Sequence, residues 1–80
     1  MKVTYETMLR RRCPVNDDYD TYVVLVESNT TVPVERLLEA LAALPEKEFQ
    51  ETLTQQLADV LGRKITTVGY HSGVKTTCVC

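Results

Sequence analysis

The apolar residues of this chain change their period twice, and few folds accommodate that. From Lys2 to Arg12 they alternate. Val3, Tyr5, Thr7 and Leu9 fall on one face, and Lys2, Thr4, Glu6, Met8 and Arg10 on the other. A period of two is that of a strand. Cys13 to Asp20 holds Pro14 and the turn-forming Asn16-Asp17-Asp18, so it reads as a loop. Asp20 to Ser28 carries Tyr22-Val23-Val24-Leu25-Val26, β-branched and aromatic, hence a second strand buried on at least one side. The two strands form a hairpin closed by the cysteine loop.

The period then lengthens. Thr30 or Thr31 is placed to cap a helix, with Pro33 in its first turn. Val34, Leu37, Leu38, Leu41 and Leu44 recur at helical spacing. Pro45 stops that helix and opens the next, whose apolar stripe is Phe49, Leu53, Leu57, Val60 and Leu61; Gly62 supplies a left-handed cap. So short a connection predicts antiparallel helices. Ile65 to His71 returns to a strand, with Ile65, Thr67 and Gly69 opposing Thr66, Val68 and Tyr70. Ser72-Gly73 is a turn signal, and Val74 to Cys80 alternates again.

The order ββααββ predicts an α+β domain spanning residues 1–80, a four-stranded antiparallel sheet with two helices on one face. The other face is expected to display Tyr, Val and Thr rather than charges, and its edges invite a partner. Identical chains joined edge to edge would close a barrel, so a homo-oligomer is expected. Length points the same way: 80 residues make a marginal core, and three cysteines cannot be a fully paired disulfide framework. No stretch resembles a signal peptide or membrane span, so a cytoplasmic protein with reduced thiols is the default. Nine Lys and Arg against eleven Asp and Glu argue against a dedicated nucleic-acid binder, without excluding nucleic acid as a partner.

Chemistry concentrates in Arg12-Cys13-Pro14-Val15-Asn16-Asp17-Asp18-Tyr19-Asp20. A cysteine is a nucleophile as thiolate, which neighbouring positive charge favours, and Arg10-Arg11-Arg12 lies beside it. A carboxylate within reach would carry a proton to or from whatever the sulfur attacks. The plainer readings stand alongside: an inert small apolar cysteine, a solvated charged strand end and a turn shaped by aspartates. His71 reads as a turn or surface residue. Cys13, His71, Cys78 and Cys80 would make a Cys₃His zinc set, but without Cys-x-x-Cys spacing no metal is assigned.

These residues resemble a known family. The ββααββ order is similar to that of the tunnelling fold, or T-fold, whose subunits build β-barrels with purine- or pterin-binding sites at their interfaces. Within it, Cys13-Pro14-Val15-Asn16 resembles the Cys-Pro-Val-Thr stretch of the 7-cyano-7-deazaguanine nitrile reductases (QueF) and their archaeosine-forming, QueF-like relatives. Val26-Glu27-Ser28 resembles the start of their Glu-Ser-Lys motif, Phe49-Gln50-Glu51 their Phe-His-Glu stretch, and Gly73-Val74-Lys75-Thr76-Thr77 their final strand. The resemblance implies Cys13 as the nucleophile that attacks a nitrile carbon and Asp20, seven residues on, as the general acid. It implies Glu51, with Glu27 and Gln50, as groups that hold a purine-like ligand.

The departures carry weight. In the reductases, lysines that help bind NADPH follow Glu-Ser; here Glu27-Ser28 is followed by Asn29-Thr30-Thr31. The family histidine is Gln50, which cannot titrate. The half of the chemistry that remains needs a thiolate and an acid: addition to the nitrile, then displacement of sulfur by an amine to give an amidine. No cofactor is expected on that reading. Two others stay open: a non-catalytic module that binds a purine, a pterin or a protein, and an NADPH reductase with an unrecognised cofactor site. On a helical wheel Glu51 points away from the apolar stripe, so only a subunit interface is expected to make it a ligand.

Overall fold

A computed structural model describes all 80 residues. The elements follow the expected order: β1 (Val3–Arg12), β2 (Tyr19–Ser28), α1 (Val34–Ala42), α2 (Gln50–Leu61), β3 (Lys64–His71) and β4 (Val74–Val79). The strands form one antiparallel sheet in the order β1-β2-β3-β4. Both hairpins close at the same end of the sheet. Arg12 pairs with Tyr19 at the tip of the first, and His71 with Val74 at the tip of the second.

The strand period decides which side chains meet the helices. Tyr22, Val24, Val26 and Ile65 turn to the covered face and pack with Leu9, with Leu37, Ala40 and Leu41 of α1, and with Leu53, Leu57 and Leu61 of α2. Gly69 is needed beneath Tyr22. A Cβ there would lie 2.7 Å from Tyr22 Cε1 and closer still to Cδ1, so the phenol ring rests directly on the backbone of β3. The uncovered face carries Val23, Leu25, Thr66 and Val68 at its centre. It is not free of charge: Glu6 and Arg10 share it on β1, and Lys2, Glu27 and Lys64 form an ion cluster at the end remote from the hairpin tips.

The helices depart from expectation in three respects. Neither Thr30 nor Thr31 caps α1. Pro33 is its first flanking residue, without a side-chain cap, because the Ser28 hydroxyl takes the Thr30 amide at 3.1 Å and Arg63 donates to the Thr30 hydroxyl at 3.1 Å. Pro45 does not open α2. Residues 43–49 separate the helices and run beside β1, where the Arg12 amide donates to the Glu46 carbonyl at 2.9 Å and the Glu48 amide to the Arg12 carbonyl at 3.3 Å. Those bonds to a strand replace the bonds of a longer helix. The buried stripe of α2 is Gln50, Leu53, Thr54, Leu57 and Leu61, while Phe49 and Val60 are 47% and 59% exposed. On α1, Val34 and Leu38 likewise face out.

The arginine run is structural. Arg11 donates to the Leu41 carbonyl at 2.7 Å, at the C-terminal end of α1, and to the Pro45 carbonyl of the connection at 2.9 Å. Arg10 and Arg12 lie over the ring of Tyr19 at 4.1 and 4.9 Å. Together these contacts fix the end of β1, and so the start of the cysteine loop, against the end of α1 and the connection that follows it.

Candidate active site

The cysteine loop is bolted by its own backbone. The Cys13 amide donates to the Asp18 carbonyl at 2.8 Å, and the Asp17 amide to the Cys13 carbonyl at 2.9 Å. Asn16 Oδ1 accepts the Asp18 amide at 3.0 Å, the Asx turn its sequence favours. Asp17 sits in the left-handed region (φ 62°), and its carboxylate meets Lys47 Nζ at 3.1 Å. Lys47 holds that carboxyl below its ordinary range, first by the hydrogen bond and then by its charge.

The loop folds beside the start of α2 and the tip of the second hairpin, enclosing a cleft of about 300 Å³. That is the lower end of the roughly 300–1,000 Å³ of small-molecule sites. Cys13 and Asn16 come from the loop, Asp20 and Tyr22 from β2, Phe49 and Glu51 from the opening of α2, and His71 from the end of β3. Cys13 and Asp20, expected together, are together. Glu51 is exposed, as its place on the helical wheel predicts, and it borders the same cleft within one chain. None of the three arginines lines the cleft.

Gln50 also lines the cleft, whereas Glu27 lies away from it. Gln50 is 2% exposed and its amide is committed. Its Nε2 donates to the Thr67 carbonyl at 3.2 Å, the Thr67 hydroxyl at 3.1 Å and the Thr76 carbonyl at 3.0 Å. Carbonyls only accept, so nitrogen and oxygen of this amide cannot trade places. Gln50 Oε1 therefore faces His71 Nε2, at 2.9 Å. Gln50 thus borders the cleft with its amide already bonded, and it holds the ring of His71 there. Glu27 stands seven residues from Asp20 along β2, about 23 Å away at roughly 3.3 Å per residue. There it binds Lys2 at 3.0 Å and Lys64 at 3.3 Å, which together hold its carboxyl below the ordinary range.

Two more residues belong to the site: Tyr22, which drew no functional reading, and His71, weighed only as a zinc ligand. His71 Nδ1 lies 3.3 Å from Asp20 Oδ2, and the Tyr22 hydroxyl donates to that same oxygen at 3.4 Å. The ring centroids of Tyr22 and His71 are 5.9 Å apart. Burial, and after it the Asp20 carboxylate, push the Tyr22 phenol well above its ordinary range, so it stays a donor. The signal was present in strand parity: His71 continues the face of Ile65, Thr67 and Gly69, and Tyr22 that of Val24 and Val26.

The cysteines do not gather around a metal. His71 pairs with Val74 at one end of the β3–β4 hairpin, and Cys80 bonds across to Ile65 at the other. Cys78 lies between them, its thiol pushed up first by burial and then by the charge of Glu51. No helix is long and apolar enough to cross a membrane.

The fold and the cleft define a T-fold unit with a cysteine, a carboxylate and a histidine gathered at one end of its sheet. Among solved structures, the archaeosine synthase QueF-Like in its apo form is similar: the match covers 99% of this chain and 90% of that one, with a TM-score of 0.87 at 20% sequence identity. No protein-family model matches the sequence, and no curated protein matches it. Likeness at this identity establishes the shared fold.

Proposed function

We propose that this chain is a QueF-like enzyme that joins Cys13 to the nitrile carbon of a 7-cyano-7-deazapurine and releases an amidine. The observation that carries the reading is the convergence of Cys13, Asp20 and Glu51, from three different elements, on one cleft. The thiolate of Cys13 adds to the nitrile carbon. One π bond of the nitrile breaks, Asp20 protonates the nitrogen, and a thioimidate results. An amine, ammonia in the simplest case, then adds to the same carbon; the carbon–sulfur bond breaks and sulfur leaves as thiolate. Glu51 accepts hydrogen bonds from the N–H edge of the base. Phe49, 47% exposed at the wall of the cleft, offers it a flat apolar face.

Amidine formation is favoured over reduction by the loop after Ser28. Reductases would need cations there for NADPH, and this loop fits that cofactor poorly. It contains no lysine. Lys2 and Lys64 nearby are paired with Glu27, and Arg63 is spent on the Ser28 hydroxyl at 2.7 Å, the Thr30 hydroxyl and the Gly62 carbonyl. The open sheet face, apolar at its centre, and the edges of β1 and β4 suit further copies of the chain, so the working form is proposed to be a homo-oligomer.

The test is intact mass spectrometry with 7-cyano-7-deazaguanine. The protein should gain the mass of one ligand and a thioimidate absorbance. Cys13→Ala should abolish both, whereas Cys78→Ala and Cys80→Ala should keep them. No NADPH consumption is expected. Unchanged mass at saturating ligand would defeat the enzyme reading, and ligand retained without covalent attachment would point to a binding module.

A further inference from the structure

We infer that Asp20 and His71 hold one proton in common and that this pair, kept in register by Gln50, is the proton reservoir for the chemistry at Cys13. The second half of this rests on the thioimidate reading above; the first half stands on hydrogen-bond geometry alone.

The inference follows from counting donors. Gln50 Nε2 is saturated by Thr67 and Thr76, so only its carbonyl oxygen is left to face His71. An oxygen acceptor at 2.9 Å requires the His71 Nε2 to carry hydrogen. The other ring nitrogen then meets a second acceptor, Asp20 Oδ2, at 3.3 Å. A neutral ring protonated at Nε2 would set its Nδ1 lone pair against a carboxylate, with no hydrogen between them. One proton placed there removes the conflict, whether it resides on Nδ1 or on the carboxyl group. Tyr22 cannot supply it: burial keeps its phenol protonated, and its O–H already points to the same carboxyl oxygen.

Every element around the ring bears on this proton. From β2 come Asp20 and Tyr22, from α2 Gln50 and Glu51, from the preceding connection Glu48, and from the cysteine loop Cys13. The balance is then complete without outside acid or base. The sulfur of Cys13 bonds to the nitrile carbon as one π bond of the nitrile breaks, Asp20 passes the pair's proton to the nitrogen, and the proton that the Cys13 thiol gives up refills the pair. His71 acts through Asp20 as a positioning residue. It keeps the proton on the carboxyl's side of the cleft until nitrogen can accept it.

The experiment uses the full chain, ¹⁵N-labelled at histidine and ¹³C-labelled at aspartate, followed by NMR across the pH range in which adduct forms. His71 is the only histidine, so its ring signals are unambiguous. A shared proton should show as an Nε2–H ring with either Nδ1–H or a protonated Asp20 carboxyl, and Gln50→Leu should release the tautomer. A neutral ring beside an ionised Asp20 carboxylate would overturn the inference, whatever becomes of the enzyme reading. The kinetic arm measures the rate of adduct formation with 7-cyano-7-deazaguanine against pH. His71→Asn keeps an N–H near Asp20 but cannot take up a proton. The rate should fall about 10- to 100-fold, less than the roughly 10²–10⁴ of a whole general acid, and the limb of the pH profile set by the pair should vanish. Adduct formation in His71→Asn at the parental rate, with the parental pH profile, would also overturn it. Loss of adduct in the parent protein defeats the proposed function instead, and leaves the NMR result to decide on the shared proton.

Discussion

Gly69→Ala adds one carbon where the structure has no room for it. Two effects of opposite sign compete. The backbone of Gly69 is not in the left-handed region, so alanine is conformationally acceptable, and losing a glycine from a strand interior should stabilise by about 0.5–1 kcal/mol. Against this, the new Cβ would sit 2.7 Å from Tyr22 Cε1 and closer to Cδ1. Tyr22 is 2% exposed and cannot swing into solvent. Forcing a methyl group into a packed core costs about 1–3 kcal/mol. The steric effect wins, and a net loss of about 1–2 kcal/mol is expected. Urea melts at fixed protein concentration would read it as a lower midpoint with unchanged slope. In a domain of this size it corresponds to a fall in Tm of about 4–16 °C, at roughly 4–8 °C per kcal/mol. A double-mutant cycle with Tyr22→Leu isolates the cause, because Gly69→Ala should cost little once the ring is gone, a coupling of about 1–2 kcal/mol. Neutrality of Gly69→Ala, or strict additivity in the cycle, would refute the claim that Tyr22 lies on this backbone.

Three further outcomes follow from the same contacts. Glu51→Gln should weaken ligand binding about 10- to 100-fold, the worth of a hydrogen bond to a charged group, while leaving the melt within about 0.5 kcal/mol as befits an exposed position; titration calorimetry on a Cys13→Ala background reads both binding and its absence. Glu27 has a lowered folded-state pKa, so its pairing with Lys2 and Lys64 stabilises the fold above the unfolded carboxyl's value and loses that contribution as pH falls through the folded one; Glu27→Gln should therefore be less stable than the parent at neutral pH and indistinguishable from it in acid, with the gap shrinking in high salt. Burial holds the Cys78 thiol up, so iodoacetamide at neutral pH should label Cys78 more slowly than exposed Cys80, and peptide mapping that found the reverse order would contradict the packing of β4.

The fold was legible where burial follows a simple period. Alternation placed β1 to β4, and both hairpins were marked by their turn residues, the six-residue cysteine loop and the two-residue Ser72-Gly73 turn. The α2 face was misread because its two polar members, Gln50 and Thr54, are buried while the apolar Phe49 and Val60 are not. A hydrophobic stripe cannot reveal a face that is polar by design of its hydrogen bonds. The length of the connection between the helices was hidden for a similar reason: its partner, the end of β1, lies more than thirty positions earlier, and nothing local announces a bond from the Arg12 amide to the Glu46 carbonyl. Of the site, Cys13 and Asp20 were visible as a cluster in one loop. His71 was not, since its partners come from β2 and α2 and only the register of the sheet brings it to them.

The polar wedge in α2 explains why a marginal core gives up apolar volume beside its centre. Thr54 donates to the Gln50 carbonyl at 2.7 Å, so its single hydroxyl hydrogen is used. The 2.6 Å contact between the Thr54 and Thr67 hydroxyls must then have Thr67 as donor. Thr67 in turn accepts from Gln50 Nε2. The circuit runs in one direction only, from the Gln50 amide through Thr67 and Thr54 back to the Gln50 backbone, and every buried donor in it is satisfied. Such a network costs more than leucine would if any member is lost, because the remaining groups stay buried without partners. What the circuit yields is orientation. With its nitrogen locked, Gln50 presents one oxygen, at one place, to one nitrogen of His71, and the protonation pattern at the cleft is set from inside the core.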